Sequence, residues 1–299
     1  MGIVFKQLSI LYIFLVIGWG VGKLKKDKAP HADILSILLV KVFLPCKVFS
    51  TFANNVTIEF ISQKYILLIE SVIALAVLVL LGIIIPKLLT KKPFERRVYS
   101  YSVPITNYAY LGYALIGPVF GDSVLADFMF FVIPFVVYTY TAGYTLLTGG
   151  KFSFKKLVNP LTIAIILGVT AGLTGIKIPD ILNKVLSTSS NCVGPISMLL
   201  TGITLSTFTV KELFADGTSY IFSFIRLVAI PGIAFLVCKL LKLDALLPML
   251  LIVTCMPCGL NPIVFPKLVG EDCKPGARLA LITHILSLAS LPLWLSLIL

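Results

Sequence analysis

Charge is what this chain has least of. Asp, Glu, Lys and Arg make up 13% of its 299 residues, against 58% hydrophobic residues, and the acidic ones number only 13. Mean hydropathy is +1.04. No soluble domain of this length needs so much apolar surface, so the composition predicts an all-α, polytopic membrane protein. Histidine is rarer still, with two residues, and neither a paired His-Glu metal motif nor a close carboxylate pair occurs. An intramembrane enzyme therefore finds little support, and no metal or cofactor is expected. Of six cysteines, Cys46, Cys192, Cys238 and Cys255 lie within or beside apolar runs and only Cys273 is clearly in a loop. That excludes a secreted disulfide framework. Cys255-Met256-Pro257-Cys258 has the spacing of redox and metal motifs. With no second thiol pair, inside an apolar span, it reads as packing. Long loops are missing too, so 1–299 is read as a single polytopic membrane domain. The largest loop, Gly149 to Asn159, is a basic linker and the natural seam between halves 1–150 and 151–299.

The net charge of +12 does not point to nucleic acid, because the basic residues sit in short loops with no aromatic-interleaved basic face. It reads instead as a topology signal. Lys6 precedes an apolar run that extends to Val21 with no small-residue cleavage site, so a first span is expected there rather than a removed signal. Apolar windows predict ten transmembrane helices near 5–22, 32–53, 64–86, 97–120, 123–147, 159–175, 181–209, 217–239, 244–267 and 277–298. Loops on one side carry sixteen Lys and Arg, those on the other five. The positive-inside rule then sets the richer side in the cytoplasm and both termini outside.

Two of these windows are broken. The first reads Pro104-Ile105-Thr106-Asn107, the second Pro257-Cys258-Gly259-Leu260-Asn261-Pro262. Proline removes a backbone donor and clashes with the preceding turn. Broken backbone at membrane depth is tolerated only in protein or beside a wet cavity. Five spans per half is odd, so the halves cross in opposite senses. Ordered matches agree: Pro30-His31-Ala32-Asp33-Ile34-Leu35 with Pro179-Asp180-Ile181-Leu182, Pro45 with Pro195, and Gly121-Asp122 with Gly270-Glu271-Asp272. Together they predict a 5+5 inverted repeat whose breaks, in helices 4 and 9, meet near the midplane. Each break frees a helix N-terminus carrying about half a positive charge, which favours an anion, particularly a carboxylate. Pro104, Thr106, Asn107 and Tyr108 from one break, and Pro257, Gly259 and Asn261 from the other, are the candidate substrate-binding residues, with Tyr110 and Gly112 continuing the first. The two asparagine amides suit either substrate contact or patching of freed carbonyls.

Charged residues within spans are expensive and prompt a functional hypothesis. Arg226, two turns into span eight, suits attraction of an anion, a scaffold contact or snorkelling. Lys41 and Lys47 flank Pro45, and Lys47 is expected to face the cavity. Glu70 and Asp127 lie nearer the outer ends of spans three and five, where exposure competes with a proton relay or a pair with Lys47. His284 reads either as a satisfied core residue or as a proton carrier.

At the breaks the chain resembles the auxin efflux carrier family, which includes plant PIN-type carriers and bacterial malate or malonate permeases. The likeness is carried by Ser102 to Gly112, by Met256-Pro257-Cys258-Gly259-Leu260-Asn261 with Lys267, Gly270 and Glu271-Asp272, and by Ser287 to Trp294. Asn159-Pro160-Leu161 and Arg226-Leu227 before Pro231 fit as well. The resemblance implies a ten-helix PIN-like fold, similar to bile-acid transporters, with interleaved scaffold and transport subdomains and crossed helices 4 and 9. It further implies elevator-type transport of small organic anions across a cell membrane, by a homodimer. The short central loop is similar to bacterial members. Tyr108 departs from the pattern, standing where many members have a small residue, which implies a reshaped pocket. A sodium-coupled carrier of the bile-acid-transporter type is the nearest alternative. The ninth span, with no carboxylate before Glu271, disfavours it.

Overall fold

A computed structural model of the chain describes residues 2–24 and 29–298, the side chains of 29–31 excepted. Among the described residues there is no strand. Helices run α1 Gly2–Leu24, α2 Ala32–Asn55 and α3 Ile58–Leu89, then α4 Pro93–Ser102, α5 Tyr108–Phe120, α6 Asp122–Phe131, α7 Ile133–Thr148 and α8 Pro160–Thr174. They continue as α9 Asp180–Asn191, α10 Val193–Ser206, α11 Val210–Phe214, α12 Gly217–Leu240, α13 Leu246–Cys255, α14 Asn261–Lys267 and α15 Lys274–Leu295. Five of these (α1, α2, α3, α12, α15) are long and apolar enough to cross a membrane, and α6 with α7, bent by 46°, makes a sixth candidate. The protein is thus an all-α, multi-pass membrane protein.

Proline decides where the remaining apolar windows come apart. Window 97–120 divides into α4 and α5 around Pro104, and window 244–267 into α13 and α14 around Pro257. The bend between α6 and α7 has the same cause: Pro134 sits in the first turn of α7. That proline was not singled out from the sequence, because its neighbours are uniformly apolar. Pro45 and Pro231 act differently. Each follows a π-helical turn, Leu39–Phe43 in α2 and Ile225–Ala229 in α12. The widened turn gives the ring room beside the carbonyl four residues earlier, so the helix continues.

Glycine lets two helix pairs approach backbone to backbone. Gly18 and Gly22 of α1 face Leu199 and Ser206 of α10, and Gly202 of α10 faces Leu15 of α1, with no room for a Cβ at any of the three. Gly168 and Gly172 of α8 meet α2 likewise: a Cβ on Gly168 would lie 3.0 Å from the Phe49 carbonyl oxygen, and one on Gly172 would strike that of Val56. Close approach of this kind is how helices gain packing energy in lipid, where the hydrophobic effect is silent. Elsewhere α3 packs on α4, α12 on α13, and α15 on α11 through α14. Tyr99 of α4 stacks on Phe222 of α12 with ring centroids 4.6 Å apart, and Arg97 pairs with Glu271 at 2.8 Å.

Candidate functional site

The two breaks touch. The Asn107 N–H donates to the Pro257 carbonyl at 2.8 Å, and the Thr106 hydroxyl donates to the Val253 carbonyl at 3.1 Å. The Cys258 N–H is taken up by the Thr283 hydroxyl of α15 at 3.0 Å. Groups freed by the prolines are thereby satisfied within protein, as their depth demands.

Four helix ends converge here, two C-terminal and two N-terminal. At the C-terminal pair, α4 and α13, lies Arg226, fully buried in the π turn of α12. Its Nε donates to Ser102 O at 3.1 Å, Nη2 to Val253 O at 3.4 Å, and Nη1 to Thr254 O. Among the described residues no carboxylate pairs with it. None is needed electrostatically: each helix C-terminus carries about half a negative charge, and two together match one guanidinium. Of the readings the sequence left for Arg226, the contact that holds structure together is the one the geometry supports. Snorkelling is excluded by its burial.

Among the described residues the N-terminal pair has no such counter-charge. At α5, Asn107 caps the helix, its Oδ1 accepting from the Leu111 N–H at 3.4 Å. Its Nδ2 lies 3.1 Å from Nε2 of His284, whose Nδ1 is 2.6 Å from the Ala280 carbonyl. Asn261 opens α14, and its Nδ2 donates to the Tyr101 hydroxyl at 2.7 Å. Because α14 is only seven residues long, the positive end at the site belongs mainly to α5.

Between these ends is a cavity of about 40 Å³ lined by Thr106, Asn107, Tyr108, Thr139, Gly259 and Asn261, among others. That volume admits about one water molecule. Tyr108 is buried against Tyr113 and Phe135, its hydroxyl 3.5 Å from that of Thr139, and it takes up space beside the cavity. Pro104 and Pro257 are buried in the breaks and shape the backbone without lining the cavity. Thr139 and Tyr140 come from a π-helical turn, Thr139–Gly143, of α7. Sequence reasoning missed them. Pro134 at the start of α7 was the available signal that this span also departs from a regular helix.

The other charged candidates fall outside the cavity. Leu44, not Lys47, is the α2 residue that lines it, because Lys47 lies a turn further on, within electrostatic reach of Asp122 at the start of α6. Asp127 pairs with Lys64 at 2.8 Å rather than with Lys47. That pair borders a second cavity, about 400 Å³, between α3, α6 and the start of α13. Glu70 is half-buried, one of its oxygens without a hydrogen-bond partner. His31 lies outside the described side chains.

Two comparisons bear on what this arrangement serves. A family model described as membrane transport protein matches residues 3–152 and 144–295. The chain is also similar to an uncharacterized transporter of Methanocaldococcus jannaschii, with 27% identity over 281 residues, 89% of this chain and 90% of that protein. With a family-model match along essentially its whole length, the chain belongs to the auxin efflux carrier family of membrane transport proteins.

Proposed function

We propose that this protein is a secondary transporter of small organic anions, mono- or dicarboxylates, with the substrate held where the two breaks meet. The observation that carries the proposal is the asymmetry of charge at the site. Both C-terminal helix ends are neutralised by Arg226, whereas the N-terminus of α5 faces the cavity beside Asn261 and Thr106 with no anion of the protein's own among the described residues. One Asn107 amide hydrogen is used by His284, which leaves the second for a substrate oxygen. Asn261 has its Oδ1 and one amide hydrogen left over.

The same reading takes the ten apolar windows as ten spans in a 5+5 inverted repeat with helices 4 and 9 crossed, both termini outside and the cell membrane as its location. The glycine contacts support the repeat. Gly18 and Gly22 mate α1 with α10, Gly168 and Gly172 mate α8 with α2, and each pair differs by 150 residues (168 − 18 and 172 − 22). Helices α1, α2 and α8 to α10 then form a scaffold, and α3 to α7 with α11 to α15 the moving body of an elevator. A space of about 40 Å³ is small for a dicarboxylate, and in this reading it widens when that body slides. A homodimer belongs to the same reading, and size measurement in detergent checks it.

Purified protein in liposomes, offered a panel of mono- and dicarboxylates with and without proton or sodium gradients, tests the function. Saturable uptake of at least one anion is expected. No flux or binding across a broad panel would remove the anion reading.

A further inference from the structure

The mechanism above uses Asn107 but leaves its buried partner idle. His284 is 1% exposed, and its two ring nitrogens face partners that dictate its protonation. The Ala280 carbonyl, 2.6 Å from Nδ1, can only accept, so Nδ1 carries the hydrogen and Nε2 is a bare acceptor. Nε2 therefore accepts from Asn107 Nδ2 at 3.1 Å. That assignment settles which way the Asn107 amide points: nitrogen toward His284, oxygen toward the Leu111 N–H that it caps. One ring thus fixes the orientation of the amide at the mouth of α5. A hydrogen placed on Nε2 would set donor against donor. Turning the amide over would restore that bond but point its NH₂ at the Leu111 N–H and abolish the cap. Leu111 N–H would keep only the Asn107 backbone carbonyl at 3.1 Å, so no orientation of the Asn107 amide serves both neighbours once the ring is charged.

We propose that His284 is the positioning residue of the crossover, and that its neutral, Nδ1-protonated ring is required for transport, so that acidification switches the site off. The titratable and charged groups around it are few. Tyr12 of α1 lies with its ring 6.0 Å away and its hydroxyl on the His284 carbonyl and on Ser287. Cys258 is tied to the neighbouring Thr283, and Arg226 is committed to the helix ends. Lys274 and Arg278, nearer the start of α15, are engaged by Glu212. None of these offers a carboxylate to pair with a charged imidazole, so protonation falls on the Asn107 contact.

The proposal rests on the transport reading for its kinetic arm only; its spectroscopic arm does not need a substrate. His31 and His284 are the two histidines, so full-length protein labelled with ¹⁵N-histidine in liposomes gives two ring spectra, separated by the His31→Gln variant. At neutral pH, solid-state NMR should find His284 with a protonated Nδ1 and an unprotonated Nε2. The Nε2 resonance should move in Asn107→Ala and stay in Asn261→Ala. A protonated Nε2 at neutral pH, or a resonance indifferent to Asn107→Ala, overturns the assignment whatever the substrate is. In the uptake assay, His284→Gln sets an amide oxygen where Nε2 stood and cannot titrate. It should keep activity within about threefold and lose the fall in rate that the parent shows between about pH 6 and pH 4. His284→Ala should slow uptake about tenfold, equivalent to roughly 1.4 kcal/mol. A pH profile unchanged in His284→Gln contradicts the switch even if uptake itself is robust.

Discussion

Replacing Arg226 by methionine is the perturbation whose size the structure fixes best. The guanidinium donates to the carbonyls of Ser102, Val253 and Thr254, all within or next to the broken ends of α4 and α13. Each buried carbonyl left without a donor costs about 1–3 kcal/mol. Removing a desolvated charge gives part of this back, and breaking a buried charge contact typically leaves a net loss of about 3–5 kcal/mol. Much of that loss should appear as local opening of the breaks, where Cys255 and Cys258 are both fully buried. A shift of about 3 kcal/mol raises the open population by roughly two orders of magnitude, since each 1.4 kcal/mol is tenfold. Maleimide labelling of those two thiols, in protein whose Cys46, Cys192, Cys238 and Cys273 are replaced by serine or alanine, reads that population directly. Arg226→Lys should fall between, because one ammonium keeps the charge but lacks the fork that spans two helix ends. Labelling of Arg226→Met within about threefold of the parent would refute the idea that the arginine holds the breaks together.

Three further outcomes follow from other contacts. Gly202→Leu and Gly172→Leu should each destabilise the protein by about 1–3 kcal/mol or more by forcing packed backbones apart, whereas Gly20→Leu, with nothing within 4 Å, should be silent in the same thermal-unfolding assay. Lys64→Met should cost about 1–2 kcal/mol by stranding a largely buried Asp127, and Lys64→Met with Asp127→Leu should recover most of it. Glu212 is held down to about 2 by the Lys274 ammonium at 2.8 Å and by the Thr209 N–H and hydroxyl. A depressed carboxylate stabilises above its ordinary range and loses that contribution as pH falls toward 2, so its NMR titration should move up toward ordinary values in Lys274→Met.

Much of this was legible because proline and lipid make strong demands. Pro104 and Pro257, each shortly before an asparagine in the two broken windows, point to both breaks, and the apolar windows give the helical class. What the sequence hides is how each proline is absorbed. Pro45 and Pro231 look as disruptive as Pro257, yet a π turn before each keeps the helix whole. Pairwise contacts were hidden for a related reason. Asp127 read as exposed, as a proton relay or as a partner of Lys47, and only packing of α3 on α6 brings Lys64 to it. Arg226 read as a charge attracting an anion, a scaffold contact or a snorkelling side chain alike, because helix C-termini carry no letter in the sequence. Asn107 looked able either to bind substrate or to patch the fold. Its cap on α5 and its bond to His284 account for two of its groups, and one amide hydrogen is left for a ligand.

The central claim is that the meeting point of the two breaks binds an anion. Proteoliposome uptake of malonate against its neutral diamide, in the parent and in Asn261→Ala, tests it most directly. The account predicts saturable malonate uptake, no uptake of the diamide, and a loss of about tenfold or more in the variant, roughly one charge-assisted hydrogen bond. Equal uptake of the charged and neutral compounds, or malonate uptake indifferent to Asn261→Ala, would contradict it.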